Sequence, residues 1–315
     1  MGGFLPLFYR RKSVVQSLLE ADTASASVAL PGERKHENKI PEVCAATRVI
    51  VQHYGHTKKF AKHIVALVIK QMDGLTDVEL VDLVGTKIGR IIGYKKRPDY
   101  SIFSKVRERT EPEIFEELNN WILQNRLNGR QIRLIAQDST DVPAFSRKDK
   151  YARTGHKAPS KREEEDADGR ANDMFFGYKL HMICDAETEI PVSFYIAPGN
   201  RHDSVFFARL FDDLNQRFCI AHGAKYLADS AFDATHIYKE LHENGVKAVI
   251  SANGRGHRKS EVPKDPEDKK RWAIERIFSR LKEVFGLAKN KVIGMKKVAI
   301  HIQSCITAYL VSYLM

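Results

Sequence analysis

The spacing of the apolar residues changes near Arg130, and this change limits the folds that the chain can adopt. Upstream, apolar positions recur at helical intervals, as in residues 111–125, where they would cover one face of a helix. Downstream, they fall into short runs of strand character separated by helical segments. The sequence therefore predicts a small all-α domain followed by an α/β domain.

The α/β half has the order strand, loop, strand, strand, helix, strand, helix, strand, helix. Its first strand leads into Asp138, and the runs MFFGYKLHMICDA and IPVSFYIAP, joined by the turn-like ETE, predict an antiparallel hairpin. AKYLADS and KAVISA are later strands. This order predicts a mixed sheet flanked by helices, an RNase H-like layout in which the final helix returns beside the first strand.

Composition divides the chain into a leader (1–41), a helical domain (42–128) and the α/β domain (129–315). The leader mixes small residues with Gly and Pro and shows no sustained period, so we expect it to be mobile. Residues 145–173 are almost entirely polar, which predicts a long loop. The apolar tail at 298–315 carries His, Gln, Ser and Thr, so we expect a packed helix and not a membrane span.

The charge of the chain indicates what it binds. The formal net charge is +11 and the sequence pI is near 9.4, a balance that favours a polyanionic partner, either nucleic acid or an anionic membrane surface, although a basic pI alone distinguishes neither from simple solubility. The short helices of the helical domain end in a basic helix with Lys105 and Arg107, which suits a helix-turn-helix DNA-binding domain whose cations contact phosphates. An ordinary helical bundle with a solvated basic helix explains the same segment equally well.

Three carboxylates form the candidate catalytic site. Asp138 and Asp229 each end a strand-like run, so both would stand at strand C-termini, where sites are usually built. In RWAIERIFSRLK, Arg271, Glu275 and Lys282 lie on one side of a helix, next to an apolar stripe. Carboxylates from two strands and a helix suit divalent ions that promote in-line phosphoryl transfer. The plain alternative for the helix is a solvated charged face.

Other acidic residues compete for these roles. Asp141 competes with Asp138, and Asp233 competes with Asp229. We favour the earlier member of each pair because it directly follows the apolar run, whereas Asp233 lies in a turn toward a helix and suits a cap.

Two histidines raise the alternative of a zinc site. His181 and His202, together with Asp203, are zinc ligand types, but the sequence shows no four-ligand spacing around them. GNRHD suits a turn that opens a helix, with Asp203 or Ser204 as its cap.

These motifs resemble those of the DDE transposases of bacterial and archaeal insertion sequences, in the group whose C-terminal signature is Arg, three residues, Glu, six residues, Lys. Arg271, Glu275 and Lys282 fit that signature in register. The resemblance extends from about residue 75 to the C-terminus through DST, GYKLH, GNRHD and LADSAFD, which are weak singly and specific in this order. The fuller signature has Tyr three residues before the Arg, whereas this chain has Asp268, so the role of that Tyr is lost or replaced.

The resemblance implies an RNase H-like catalytic domain that cleaves DNA at terminal inverted repeats and joins the freed 3′ hydroxyls to target DNA. Asp138, Asp229 and Glu275 would be the catalytic residues and would hold two Mg²⁺ ions, for which Mn²⁺ could substitute. The alternatives are a Mg²⁺-dependent nuclease without strand transfer and a catalytically inactive DNA-binding protein derived from a transposase.

The resemblance also implies the partners of the protein. They are double-stranded DNA, as terminal repeats and as target, and a second copy of the chain, which would form a homodimer on DNA. Arg271 and Lys282 would contact phosphates, and His202 is a further candidate for a DNA contact. We expect the protein to act in the cytoplasm, at the nucleoid.

Overall fold

The structure is a computed structural model that describes residues 39–127, 129–156, 174–251 and 265–314. Its contacts divide the chain into two units, Met1–Arg126 with Ile302–Met315, and Leu127–His301. The division near residue 127 lies close to the predicted boundary, but the sequence had assigned the whole C-terminus to the α/β domain. The predicted leader lies almost wholly outside the described residues.

Ten α-helices are described. In chain order they are α1 (Ile40–His53), α2 (Ala61–Met72), α3 (Asp77–Val84), α4 (Lys87–Ile92), α5 (Ile102–Arg109), α6 (Pro112–Leu127), α7 (Phe207–Arg217), α8 (Thr235–Glu243), α9 (Trp272–Glu283) and α10 (Met295–Leu314). The first six helices and the C-terminal part of α10 belong to the helical unit. No helix in the described ranges combines the length and apolar character that crossing a bilayer requires.

The helical unit is centred on α2, which is buried all round. Its six residues from Ile64 to Ile69 are each at most 4% exposed, as expected for a helix that is apolar on every face. The C-terminal part of α10 adds buried polar contacts, since the Thr307 hydroxyl donates to Asn119 at 2.7 Å and Gln303 donates to Glu116 at 3.0 Å. The apolar tail is therefore a packed helix, as predicted.

A capping box starts α3. The Thr76 hydroxyl accepts from the Glu79 N–H at 3.3 Å, and the Glu79 carboxylate accepts from the Thr76 N–H at 2.7 Å. The two bonds satisfy backbone donors that a helix start leaves without intrahelical partners.

The α/β unit is built on one six-stranded sheet. Its strands are β1 (Gln131–Pro143), β2 (Arg153–His156), β3 (Met174–Asp185), β4 (Ile190–Pro198), β5 (Cys219–Ala228) and β6 (Lys247–Ile250). The backbone pairing runs β2, β3, β1, β5, β6, and β4 pairs with β3. Strand β3 pairs antiparallel with both β1 and β4, and β5 and β6 extend the sheet in parallel from β1. This is the predicted RNase H-like mixed sheet, including the predicted hairpin of β3 and β4.

Two details of the sheet differ from the prediction. Strand β1 does not end at Asp138 but continues to Pro143, because its second half stays paired with β3 after its pairing with β5 has stopped. Strand β2 lies inside the segment that was predicted to be one long loop, and it pairs with β3 from Arg153↔Gly177 to His156↔Met174. Residues 157–173 of that segment lie outside the described residues.

Candidate active site

Parallel pairing brings the two strand aspartates to one edge of the sheet. In the register of β1 and β5, Ala136 pairs with Leu227, and Asp138 and Asp229 each follow two residues later. Asp229 directly follows β5, and its carboxylate accepts from the Ala231 N–H at 2.9 Å, which caps a short 3₁₀ helix. The two side chains therefore belong to one site.

The carboxyl group of Asp138 lies in an environment that disfavours its negative charge. Its side chain is 21% exposed. Burial raises its pKa to about 7; the charges of Asp229 and Asp203 add to this rise, while the Ser139 N–H, at 2.7 Å, and Arg271 oppose it. A partly buried carboxylate among other carboxylates is a place where a cation is stabilised.

The helix α9 carries the third carboxylate. Its predicted apolar stripe is buried, with Ile274, Ile277 and Leu281 fully inaccessible. The helix begins at Trp272, so Arg271 precedes it as the last residue of a 3₁₀ turn. Glu275 projects from the other side, with half of its side chain exposed.

Arg271 links the helix carboxylate to the strand carboxylate. Its Nη1 lies 3.1 Å from Glu275 Oε1 and 3.8 Å from Asp138 Oδ2. One guanidinium group therefore interacts with two members of the predicted triad. Trp272, the neighbouring aromatic residue, is exposed.

Two arginines of α9 hold this helix against the β3–β4 turn. Arg276 and Arg280 both pair with the carboxylate of Glu189, the Arg276 contact at 2.6 Å. Glu189 has a φ of 57°, a left-handed conformation that is uncommon for a residue with a side chain. The paired arginines lower the pKa of Glu189 although burial opposes this effect. These contacts fix the position from which Glu275 projects.

The competing aspartates have other partners. Asp141 accepts from the Lys282 ammonium at 2.8 Å, so the signature lysine pairs with the rival carboxylate on β1. Asp233 accepts from the Tyr238 hydroxyl at 3.1 Å, and the side chain that caps the local turn is that of Asp229. These contacts favour Asp138 and Asp229 over their neighbours.

Asp203 lies beside the candidate site, although the sequence suggested it only as one of two possible helix caps and as a ligand in the zinc alternative. Its Oδ1 accepts from the Ser139 hydroxyl at 2.7 Å and from the Lys179 ammonium at 3.0 Å. The fully buried His181 lies with its Nδ1 3.4 Å from the same oxygen. Asp203 therefore supports β1 next to Asp138. The alternation of Lys179 and His181 on one strand face was the signal that could have revealed this cluster.

Glycines, two of them in the GYKLH and GNRHD motifs, allow the turn at residues 199–203 to approach the sheet closely. Gly199 N–H donates to the Gly177 carbonyl at 3.0 Å. A Cβ at Gly177 would lie 2.3 Å from the Val142 carbonyl oxygen, and one at Gly155 would lie 2.1 Å from the Gly199 oxygen. Only residues without a side chain fit at these positions.

The described residues contain no group of three or more His, Cys, Asp and Glu side chains at metal-binding spacing. The triad is therefore not drawn together, and Arg271 occupies the space between two of its members. The zinc alternative gains no support either, since His202 is exposed with its Nδ1 2.9 Å from the Ser204 hydroxyl. The donors nevertheless suit hard divalent cations, because they are carboxylate oxygens around a carboxyl group whose charge is disfavoured.

One predicted DNA contact needs correction. Arg107 in α5 is buried, and its two terminal nitrogens donate to the two oxygens of Asp77 at 2.8 and 2.7 Å. Its guanidinium is therefore not available to phosphates. Lys105, on the same helix, is exposed.

The α/β unit thus belongs to the RNase H-like class of folds, with acidic residues from two neighbouring strands and a following helix. The family described as "Transposase DDE domain" matches residues 129–311, more than half of the chain, and the chain belongs to this family.

One solved structure similar to this chain is piggyBac transposase in a cryo-EM synaptic complex with hairpin DNA. The two share 13% identity and a TM-score of 0.37, over 66% of this chain and 44% of that chain. At this level the likeness carries no argument, and the matched region spans less than half of that transposase. No curated protein matches the chain.

Proposed function

We propose that this protein is the transposase of an insertion sequence. It binds terminal inverted repeats, cleaves the DNA there and transfers the freed 3′ ends to target DNA by in-line phosphoryl transfer. Membership of the DDE family supports the general activity. The observation that carries the proposal is the convergence of Asp138 and Asp229 at one sheet edge, with Glu275 connected to Asp138 through Arg271.

In this proposal Asp138, Asp229 and Glu275 hold two Mg²⁺ ions, with Mn²⁺ able to substitute. When bound, such ions activate the attacking oxygen and stabilise the leaving oxygen. Other side chains of the protein position the carboxylates of Asp138 and Glu275. Asp203 orients β1 beside Asp138 through Ser139, and Arg271 keeps Glu275 close to the site until a cation or a phosphate competes for its charge.

The DNA contacts proposed for the α/β unit are Arg271, Lys282 and His202. Arg271 and Lys282 pair with carboxylates, and phosphate oxygens are ligands of the same kind for both cations. His202 is exposed at the turn that precedes Asp203. In the helical unit, Lys105 remains a proposed phosphate contact.

The experiment is a cleavage and joining assay. Labelled DNA with the terminal inverted repeats that flank the coding sequence is incubated with and without Mg²⁺. Wild type should give cut and joined products only with the metal. Glu275→Gln should reduce both by more than the roughly 10- to 100-fold that is typical of losing an outer-shell partner. Glu283→Gln is the matched control, because it makes the same change at an exposed position of the same helix.

The other outcomes point to the other functions. Cut products without joining would indicate a nuclease, and binding without cutting would indicate an inactive transposase-derived protein.

The proposal includes a homodimer on DNA, because both ends of an element have to be held together. This dimer would act in the cytoplasm, at the nucleoid. Sedimentation of the protein with terminal-repeat DNA measures the oligomeric state directly, and a strictly monomeric complex would contradict the dimer.

A further inference from the structure

A cationic groove in the helical unit reaches Ile102 at the start of α5 but is lined by neither Lys105 nor Arg109 of that helix. It is an open cavity of about 920 Å³ between the middle of α1, the segment from Lys58 into the start of α2, and the loop from α4 to α5. Six of its lining residues are cations, and none is acidic: Arg48, Lys58, Lys59, Lys62, Lys95 and Lys96. The groove therefore presents one sign of charge from three separate segments.

Specific side-chain and backbone contacts hold the walls of the groove in place. Tyr94 is buried, and its hydroxyl lies 2.6 Å from His63 Nδ1. The Lys62 ammonium sits 4.6 Å from the centre of the Tyr94 ring. The Tyr94 N–H donates to the Gly89 carbonyl at 2.7 Å, just after Gly93, which has a φ of 102°. This turn fixes the loop that carries Lys95 and Lys96.

The groove cations differ from other cations of the same unit. Arg97 pairs with Asp82, and Lys70 and Arg107 pair with Asp77. Within the described part of the chain, none of the six groove cations forms an ion pair with a carboxylate. Their repulsion is not offset inside the unit, so an anion from outside would stabilise it.

We propose that this groove binds the phosphate backbone of double-stranded DNA and is the principal phosphate-binding surface of the helical unit. The inference rests on the proposed function, since it names where that DNA is held. Five of the six cations are exposed around the opening, and only Lys62 is half-buried. A site for a small anion would need donors that converge in its interior, whereas exposed cations on several segments suit an extended backbone.

The test compares two double variants of the full-length protein that remove the same charge from the same unit. One is Lys59→Gln with Lys96→Gln in the groove, and the other is Lys105→Gln with Arg109→Gln on α5. Binding of a labelled duplex of arbitrary sequence is measured by fluorescence anisotropy between about 50 and 200 mM salt. Circular dichroism checks that each variant is folded.

The groove variant should flatten the slope of log affinity against log salt by about two units and weaken binding at 0.1 M salt by roughly 60-fold, or about eightfold per contact. The α5 variant should change the slope by at most half as much, because Lys105 is the only proposed phosphate contact in that pair. A second groove pair, Lys58→Gln with Lys95→Gln, should repeat the first result, and it replaces the first pair if that protein misfolds. An unchanged slope in the groove variants, or an equal or larger change in the α5 variant, would overturn the inference.

A competition arm separates DNA from small anions. Inorganic pyrophosphate should displace the duplex no better than chloride at equal ionic strength. Displacement at low concentration that is lost in the groove variants would show a small-anion site and overturn the assignment to DNA. If wild type binds no duplex at low salt, the proposed function fails too. If wild type cleaves its terminal DNA and the groove variants bind duplex normally, only this inference fails.

Discussion

Arg107→Met should destabilise the helical unit without changing how the protein binds DNA. The Arg107 side chain is 6% exposed and makes two short charge-assisted bonds to Asp77. Breaking a buried ion pair typically costs about 3–5 kcal/mol because it leaves an uncompensated charge. Asp77 is 39% exposed and keeps the Lys70 ammonium at 2.7 Å, so we expect a smaller loss, about 2 kcal/mol.

The effect should depend on pH. Burial alone would raise the pKa of the Asp77 carboxyl group. The charges of Arg107, and after it of Lys70, outweigh burial and hold this pKa well below its ordinary value. A depressed carboxyl pKa contributes stability that is present above the ordinary value, about 3.9, and is lost as the pH falls below it. The difference between wild type and Arg107→Met should therefore be largest at neutral pH and shrink in acid.

Tryptophan fluorescence provides an assay for this prediction. It contains two tryptophans, Trp121 on α6 and Trp272 on α9, so in a Trp272→Phe background Trp121 fluorescence reports the helical unit. Urea denaturation at several pH values then gives the free energy of unfolding. Lys105→Met, which removes the same charge from an exposed position of the same helix, should change it by less than about 0.5 kcal/mol. If Arg107→Met left stability unchanged and flattened the salt dependence of DNA binding, the guanidinium would face DNA and our reasoning would be refuted.

Three further perturbations follow from the structure. Gly177→Ala should lower the melting temperature or abolish folding, because its Cβ would lie 2.3 Å from the Val142 oxygen, and calorimetry that shows an unchanged melting temperature would contradict this. Burial, with the charge of Lys62 second, lowers the pKa of His63 to about 4, so the unfolded state takes up a proton first as the pH falls below 6.5. Urea titrations should accordingly show that the free energy of unfolding of the wild type falls by about 2 kcal/mol between pH 7.5 and pH 5. The His63→Phe variant should not show this fall. Asp203→Asn should slow Mg²⁺-dependent cleavage by roughly 10- to 100-fold while the protein stays folded, and normal cleavage kinetics would remove Asp203 from the site.

The sequence predicted what depends on local periodicity. The α9 stripe of Ile274, Ile277, Phe278 and Leu281 is buried, and the β3–β4 hairpin is present, because each follows from apolar spacing and turn residues that lie close together in the chain. The order of elements was enough to predict the RNase H-like sheet for the same reason.

What the sequence could not predict depends on partners that are distant in the chain. The direction of Arg107 is decided by Asp77, 30 residues earlier. The continuation of β1 beyond Asp138 is decided by the strand β3 beside it. Asp203 suits a cap by type and position, and only the approach of Ser139 from β1 turns it toward the sheet. The pattern of residue types along the chain does not specify which of these long-range contacts will form.

The helical unit takes residues from both sides of the α/β unit in the chain, since Ile302–Met315 groups with Met1–Arg126. During synthesis the ribosome releases α1 to α6 long before α10 exists. Until then, Asn119 has no Thr307 hydroxyl to bind and Glu116 has no Gln303 amide. The helical segment that is translated before the α/β unit is thus completed only after that unit has been translated, and a nascent chain that stops at residue 301 would leave the helical unit without Ile302–Met315.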